Sequence, residues 1–328
     1  MRTHRLGSQG PELSVVGYGS WEAGGTAWGA NESEEAVIAA MQTALEAGIN
    51  WIDTAEVYGD GVSEALVGRA IAGRRDEVII ASKVAPEPEG SGFRPEQIRA
   101  ACNASLERLG VEAIDLYQLH WPDELGTPVE DSWGAMTELQ QAGKVRWVGV
   151  SNFDRSLIER CEAIRHVDSL QPEFSMLDRR QAELIAWCDE QGTGVVSYGP
   201  LAYGLLTGAI TADTTFVDGD WRGQSSEPGD PDELNLFAGD VLPEALAVVE
   251  RLRPVAERLG ATLPQLALAW NAHQPGVTSA IAGSRNPGHV RSNAGGGDLS
   301  LDTETLAEVD HLLAEANISS AEAPGGAG

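Results

Sequence analysis

The chain alternates short apolar runs, rich in β-branched residues, with longer segments that carry apolar residues at helical spacing. Several of these longer segments begin at Asn, Ser or Asp and end at Gly, as capped helices do. The pattern therefore predicts eight β-strands that alternate with α-helices. The eight apolar runs are VVGYG (15–19), INWID (49–53), EVIIASKV (77–84), IDLYQLH (114–120), VRWVGVS (145–151), VDSLQPE (167–173), GVVSYGP (194–200) and VTSAIAG (277–283).

Eight strand–helix units in a chain of 328 residues favour one closed barrel over two open sheets. A doubly wound nucleotide-binding fold would need a G-x-G-x-x-G turn after its first strand, and GYGSWEAGG does not supply one. We therefore expect an α/β protein with a (β/α)8 TIM barrel, formed by residues 1–318 as a single domain.

Three segments fall outside the repeat. Residues 1–16 are expected to form a β-hairpin, with its turn at SQGP (8–11), that closes the bottom of the barrel. The polar stretch 211–240 follows the seventh strand and is too long for an ordinary connection, so we expect a functional or mobile loop there. The end, residues 319–328, is expected to be a disordered tail.

Composition limits the partners. A formal net charge of −28 argues against nucleic acid or an anionic membrane surface, since both require concentrated Lys and Arg. No apolar run reaches the ~18 residues of a membrane helix, and no signal peptide is evident, so a cytoplasmic protein with a small-molecule substrate is expected. Cys102, Cys161 and Cys188 form no C-x-x-C pair and are expected to be reduced core thiols.

Polar residues end most of the predicted strands, at the edge where a barrel of this kind carries its active site. Lysine occurs only at Lys83 and Lys144, and a lysine that ends a buried strand must find a counter-charge. The sequence thus predicts a site at this edge of the barrel. The strand-end residues are Asp53, Lys83, His120, Ser151, Asn152, Gln171, Tyr198, Gly283, Ser284 and Arg285.

Four of these groups suggest acid–base chemistry. Tyr58 follows Asp53 in the loop after the second strand, and a free tyrosine, with a pKa near ~10, is a poor acid at neutral pH. A neighbouring Lys83 ammonium would lower that pKa, and a buried Asp53 would keep the ammonium charged. His120 could hold a carbonyl oxygen beside the tyrosine hydroxyl.

Each residue also has a structural interpretation. Asp53 could be a strand-end cap, Tyr58 a rim aromatic and His120 a satisfied core histidine, although four such groups on consecutive strands make coincidence a weak explanation. The remaining histidines show no metal-binding spacing with one another or with His120, so no metal is expected.

The motifs that carry these residues resemble those of the aldo-keto reductases. They include GYGSW, WIDTAEVYG, IIASKV, DLYQLHWPD, VRWVGVSNF, LQPEFSMLDR, YGPLAYGLLTG and IAGSRNPGHVRSN, in the order of that family, and cover residues 2–293. GDWR and RLRPVAERLGATLPQLALAW are similar to the bacterial-type branch, which is related to potassium-channel β-subunit-like members. The resemblance implies a (β/α)8 barrel that uses NADP(H).

Residue by residue, the resemblance assigns the catalytic tetrad to Tyr58, Asp53, Lys83 and His120. It implies that Ser151, Asn152 and Gln171 hold the nicotinamide carboxamide and that Tyr198 stacks on the ring. Walls for the substrate are expected at Trp21, Trp28 and Trp121, beside Tyr58 and His120. The other cofactor positions that it implies are Gly19, Ser20, Trp21, Asp53, Gly199, Pro200, Leu201, Gly204, Gly283, Ser284, Arg285, His289 and Asn293.

The chain departs from the family at two of these cofactor positions. His289 replaces a frequent Arg or Gln beside the 2′-phosphate, and Ser292 replaces the Glu of a common Glu-Asn pair, so NAD(H) stays open as a second cofactor. The leading hypothesis is reversible, NADPH-dependent reduction of an aldehyde or ketone. The alternatives are a lyase that forms a Schiff base at Lys83 and a nucleotide-binding regulatory barrel with little turnover. Under each hypothesis the protein could be a monomer or a homo-oligomer.

Overall fold

A computed structural model describes residues 1–25, 28, 33–86, 93–123, 125–224, 234–239, 241–315 and 318. The predicted tail, 319–328, lies outside these residues, and the assignment of residues 1–318 to one domain stays a prediction. The first two strands, β1 (Thr3–Arg5) and β2 (Glu12–Ser14), pair antiparallel as the expected hairpin.

Eight parallel strands close into a barrel in which each strand pairs with the next along the sequence and the last pairs with the first. This arrangement confirms the predicted fold. Each strand lies within one of the eight apolar runs of the sequence. Because all the strands are parallel, their carboxyl ends meet at one mouth of the barrel. The strands are β3 (Val16–Gly19), β4 (Trp51–Asp53), β5 (Ile79–Val84), β6 (Ile114–Leu119), β7 (Val145–Ser151), β8 (Ser169–Gln171), β9 (Gly194–Ser197) and β10 (Val277–Gly283).

Helices surround the barrel and pack their apolar faces on the outer side of the strands. Ser33, Asp154 and Asp302 each accept a backbone hydrogen bond in the first turn of the helix that they cap, as the sequence predicts. The helices are α1 (Glu34–Glu46), α2 (Val62–Ala70), α3 (Pro95–Leu109), α4 (Val129–Gln141), α5 (Arg155–Glu162), α6 (Ala182–Gln191), α7 (Trp221–Gln224), α8 (Leu242–Arg258), α9 (Leu263–Ala272), α10 (Pro287–Gly296) and α11 (Thr303–Ala314).

The lower half of the barrel interior is filled by apolar side chains. Two of them, Leu6 and Leu13, come from the hairpin and pack against interior residues of the strands, so the hairpin closes the bottom as expected. The hairpin also contacts the start of β9, because the Ser8 N–H donates to the Gly192 carbonyl at 2.8 Å. The strand residues of this cluster are Trp51, Ala81, Leu116, Val196 and Ile281.

The three cysteines are buried and free, as predicted. Burial raises the pKa of each thiol to about 12, which leaves Cys102, Cys161 and Cys188 as inert core residues. Among the described residues, none of the helices has the length and apolar character needed to cross a membrane.

The connection after β9 contains structure of its own. A 3₁₀ helix spans Ala202–Thr207, and the short helix α7 interrupts the stretch 211–240, which the sequence analysis treated as a loop. Within that stretch, residues 225–233 and 240 lie outside the described residues. The part that is described brings Arg222 to the mouth of the barrel.

Candidate active site

A cavity of about 980 Å³ lies at the carboxyl ends of the strands. Its volume is at the upper end of the ~300–1,000 Å³ that is usual for ligand pockets, and it has room for a dinucleotide. The predicted site residues line this cavity, apart from Ser20 and Lys83, which lie buried beneath it. Ser20 instead donates from its hydroxyl to the Asp53 carbonyl at 2.8 Å and supports the end of β4.

Lys83 is fully buried on β5, and its ammonium makes three hydrogen bonds. Lys83 Nζ lies 2.5 Å from Asp53 Oδ1, 3.0 Å from the Thr54 carbonyl and 3.1 Å from Tyr58 Oη. Burial alone lowers the pKa of Lys83, but the Asp53 carboxylate and Tyr58 together outweigh it and hold that pKa above its usual range. The side chain is therefore an ammonium at neutral pH, with all three donors in use.

Asp53 links the lysine to the opposite wall of the barrel. Its second oxygen, Oδ2, accepts a hydrogen bond from Gln171 Nε2 on β8 at 2.9 Å. Ser151 Oγ in turn donates to the Gln171 carbonyl at 2.8 Å. The buried carboxylate thus has partners on both oxygens and cannot move without disturbing two other strands.

Tyr58 is brought over Lys83 by a sharp turn. Gly59, Asp60 and Gly61 all adopt left-handed backbone conformations, with φ of 63°, 51° and 88°. A Cβ at Gly59 would overlap the backbone of Gly24, so the close approach of the two loops requires glycine there. The turn places the phenol at the floor of the cavity.

The sequence predicts that Lys83 lowers the pKa of Tyr58, but the net direction in the structure is the opposite. Burial is the largest effect and raises the pKa of the phenol, while the neighbouring Lys83 ammonium offsets only part of that increase. Tyr58 is consequently a neutral hydrogen-bond donor at physiological pH. A group that gives up its proton only when a strong base forms beside it suits a general acid.

His120 follows β6, and its ring lies 5.6 Å from the ring of Tyr58, between centroids. Burial, followed by the nearby Lys83 charge, holds the pKa of His120 well below its usual range, so the imidazole is neutral at pH 7. Trp121 packs beside it, with ring centroids 4.5 Å apart. A neutral imidazole at this place can donate a hydrogen bond without adding a second cation to the site.

Asn152 lines the cavity together with Ser151 and Gln171, the other two residues predicted to hold the nicotinamide carboxamide. Its backbone is left-handed, with φ of 59°, and its Nδ2 donates to the His120 carbonyl at 3.3 Å. Tyr198 Oη donates to Asn152 Oδ1 at 3.0 Å. The hydrogen bonds fix the Tyr198 ring at the edge of the cavity.

The end of β10 forms the other side of the cavity. Tyr18 Oη donates to the Ser284 carbonyl at 2.9 Å, and Arg285 Nη2 donates to the Trp28 carbonyl at 3.0 Å. Asn286 caps the start of α10, where its side chain accepts from the N–H groups of Gly288 and His289. Arg285 and His289 thus place a guanidinium and an imidazole on this side of the cavity.

Several residues that line the cavity were not predicted from the sequence. Arg222, on α7, pairs with Asp220 at 2.6 Å and lies over the ring of Trp28, 5.0 Å from its centroid. The GDWR motif could have identified Arg222. Nothing in the sequence distinguishes Glu22 from the many other acidic residues of the chain. The other lining residues that were missed are Val57, Tyr203, Thr207, Ala209, Thr262, Pro264, Ile281 and Ala282.

In the part of the chain that the structure describes, no group of three or more His, Cys, Asp or Glu side chains is arranged to hold a metal ion.

Comparisons with known proteins agree with this geometry. The model of the aldo/keto reductase family matches residues 15–314. The chain is 35% identical to aldo-keto reductase YhdN of Bacillus subtilis, over 94% of this chain and 92% of that protein. It is 33% identical to the NADH-specific methylglyoxal reductase of Escherichia coli, over 92% and 95%.

Solved structures give the same result. The glycerol dehydrogenase AKR11B4 from Gluconobacter oxydans superposes with a TM-score of 0.84 at 33% identity, covering 98% of this chain and 97% of that one. An aldo-keto reductase from Klebsiella pneumoniae in complex with NADPH gives 0.72 at 30% identity, covering 95% of each. The chain belongs to the aldo/keto reductase family, whose members are NAD(P)H-dependent oxidoreductases acting on carbonyl and alcohol groups.

Proposed function

We propose that the protein reduces an aldehyde or ketone to the alcohol, reversibly, with NADPH as hydride donor and Tyr58 as proton donor. The observation that carries this proposal is the ammonium of Lys83, which holds the Asp53 carboxylate and the Tyr58 hydroxyl at hydrogen-bond distance at the floor of the cavity. The substrate is a small carbonyl compound between Tyr58, His120, Trp28 and Trp121.

The residues present fit a nicotinamide dinucleotide. Arg285 places a guanidinium beside the His289 imidazole at one side of the cavity, and a guanidinium suits a phosphate. Ser151, Asn152 and Gln171 supply polar groups near the tetrad, where they can hold a carboxamide. When bound, the reduced cofactor supplies a hydride to the carbonyl carbon. The relatives bound to NADPH or described as NADH-specific support NADP(H), with NAD(H) as a second cofactor.

The chain itself positions the carbonyl and moves the proton. His120 donates a hydrogen bond to the carbonyl oxygen, which places that oxygen beside Tyr58 Oη. Tyr58 transfers its proton to the alkoxide as negative charge develops there. The Lys83 ammonium stabilises the resulting phenolate, and Asp53 keeps that ammonium charged throughout.

The two alternatives are less well supported. A Schiff base at Lys83 requires a neutral amine open to substrate, but Lys83 is buried, protonated and bound to three partners. Borohydride trapping with a carbonyl substrate tests this directly, and covalent labelling of Lys83 would overturn our mechanism. A regulatory barrel with little turnover would retain nucleotide binding but would not need the tetrad to be assembled.

Replacing Tyr58 by Phe tests the proposal. We expect Tyr58→Phe to bind NADPH normally, measured by nucleotide fluorescence, while kcat for carbonyl reduction falls by at least ~100-fold, because the proton donor is lost. Tyr117→Phe is the matched control, since that phenol is buried in the barrel wall outside the cavity.

Retained turnover in Tyr58→Phe would refute the general-acid assignment. A wild-type protein that binds NADPH but oxidises it with none of a panel of aldehydes, diketones and sugars would instead favour the regulatory barrel.

A further inference from the structure

Glu22 places a carboxylate inside the cationic side of the cavity. It lies in the 3₁₀ turn Trp21–Gly24 that follows β3, and its side chain is 28% exposed. Glu22 Oε2 is 3.9 Å from Arg285 Nε. The same carboxylate accepts a hydrogen bond from the backbone N–H of Arg285.

The groups around the Glu22 carboxylate, basic side chains and a backbone N–H, are of the kind that would hold a bound anion. Burial raises the pKa of its carboxyl above the usual range, although Arg285, Arg222 and His289 each oppose that rise. These three basic side chains all line the cavity. A phosphate that entered this side of the cavity would meet the same guanidinium and the same backbone N–H that Glu22 now engages.

We propose that Glu22 is a specificity-determining residue that competes with the 2′-phosphate of NADPH for Arg285 and so limits the preference for NADPH over NADH. The proposal rests on the proposed function, because it takes Arg285 as the partner of that phosphate. Glu22 acts on cofactor selection and has no part in proton transfer.

The two cofactors respond differently because only NADPH carries the extra phosphate. A carboxylate beside Arg285 reduces the attraction that this guanidinium offers to a further anion and repels the anion directly. NADH leaves the pair between Glu22 and Arg285 undisturbed. Removing the negative charge should therefore help NADPH selectively.

The test is the affinity of both cofactors for Glu22→Gln, measured by nucleotide fluorescence at low ionic strength. We expect NADPH to bind about three- to tenfold more tightly than to the wild type, and NADH to change by less than about twofold. Glu190→Gln is the matched control, because it removes the same charge from an exposed position of α6 outside the cavity. It should leave both affinities unchanged.

A double-mutant cycle with Arg285→Ala isolates the coupling. Arg285→Ala alone should weaken NADPH far more than NADH, and in that background Glu22→Gln should gain at most about half of its wild-type effect on NADPH. Glu22→Ala provides a second variant if the glutamine variant is unstable.

Three outcomes would overturn the proposal: an unchanged NADPH affinity in Glu22→Gln, a weaker one, or an equal gain for both cofactors. An equal gain would mean that Glu22 opposes the diphosphate that the two cofactors share. Failure of the proposed function gives a different result, because the wild type would then oxidise neither NADPH nor NADH with any carbonyl compound.

Discussion

Both ends of the barrel bury an aspartate beside basic side chains, yet only one end carries a candidate active site. At the carboxyl ends of the strands, Asp53 pairs with Lys83 at 2.5 Å. At the amino ends, Asp115 on β6 pairs with Arg75 at 2.8 Å and with Arg146 at 2.7 Å, and it also accepts from the Ile80 N–H.

The difference lies in where the basic partners are. Lys83 is fully buried, whereas the side chains of Arg75 and Arg146 are 27% and 58% exposed. The lower aspartate is thus neutralised by groups that reach solvent, and its partners among the described residues are Arg75, Arg146 and the Ile80 N–H. The upper pair instead holds a phenol beside a cavity. A buried ion pair alone does not mark a candidate active site; what distinguishes the upper pair is the phenol that it holds beside the cavity.

The largest effect is expected when the ion pair between Asp53 and Lys83 is broken. Lys83→Met should lower kcat for carbonyl reduction by at least ~100-fold, because the phenolate of Tyr58 loses the cation that stabilises it. Steady-state kinetics checks this. Lys144→Met is the matched control, since Lys144 is the only other lysine in the sequence and lies outside the cavity.

Loss of stability could imitate this result, because Lys83→Met leaves Asp53 buried without its counter-charge, which typically costs about 3–5 kcal/mol. The double variant with Asp53→Asn removes the unpaired charge. We expect it to recover much of the free energy of unfolding but none of the activity. Recovered turnover would show that the lysine has only a structural role.

Loss of the Asp115 carboxylate, at the amino ends of the strands, should instead lower stability and leave activity nearly unchanged. Asp115→Asn should reduce the free energy of unfolding by about 1–3 kcal/mol, since Arg75 and Arg146 lose a charged acceptor but keep access to water. Its kcat should stay within about twofold of the wild type. Denaturant unfolding and steady-state kinetics measure the two quantities, and a large loss of kcat in a folded protein would contradict the comparison.

The smallest expected effect is that of pH on the upper site. The pKa of His120 lies well below its usual range and that of Tyr58 above its usual range, so neither group titrates near neutrality. In the reductive direction, kcat/KM should stay flat between about pH 6 and 9 and fall only at higher pH, as Tyr58 loses its proton. A limb near pH 6.5 would show that His120 ionises in the free enzyme.

The barrel, and the meeting of Asp53, Tyr58, Lys83 and His120 at one mouth of it, could be predicted from the sequence because both depend on local signals. β-branched runs mark the strands, and parallel strands bring their ends together whatever the loops do. Asp53, Lys83 and His120 could therefore be placed at one mouth from their positions at strand ends. Tyr58 lies in a loop, but the glycines that follow it marked the turn.

Less could be predicted where function depends on burial and on long loops. The direction of the Tyr58 pKa depends on how completely the phenol is removed from water, which no residue pattern states. Glu22 and Arg222 reach the cavity from a 3₁₀ turn and from α7, elements that the strand–helix repeat does not predict. The charge beside Arg285 was thus missed, although Arg285 itself was predicted.

The pairing of β3 with β10 also has a consequence for the synthesis of the protein. Most of the barrel sequence separates these two strands, so the barrel cannot close until the chain through Gly283 has left the ribosome. Arg2 adds to this delay, because it donates to the carbonyls of Gly297 and Leu299. A nascent chain that already contains Tyr58, Lys83 and His120 therefore lacks one wall of the cavity until β10 has been made, so the cavity is completed late in synthesis.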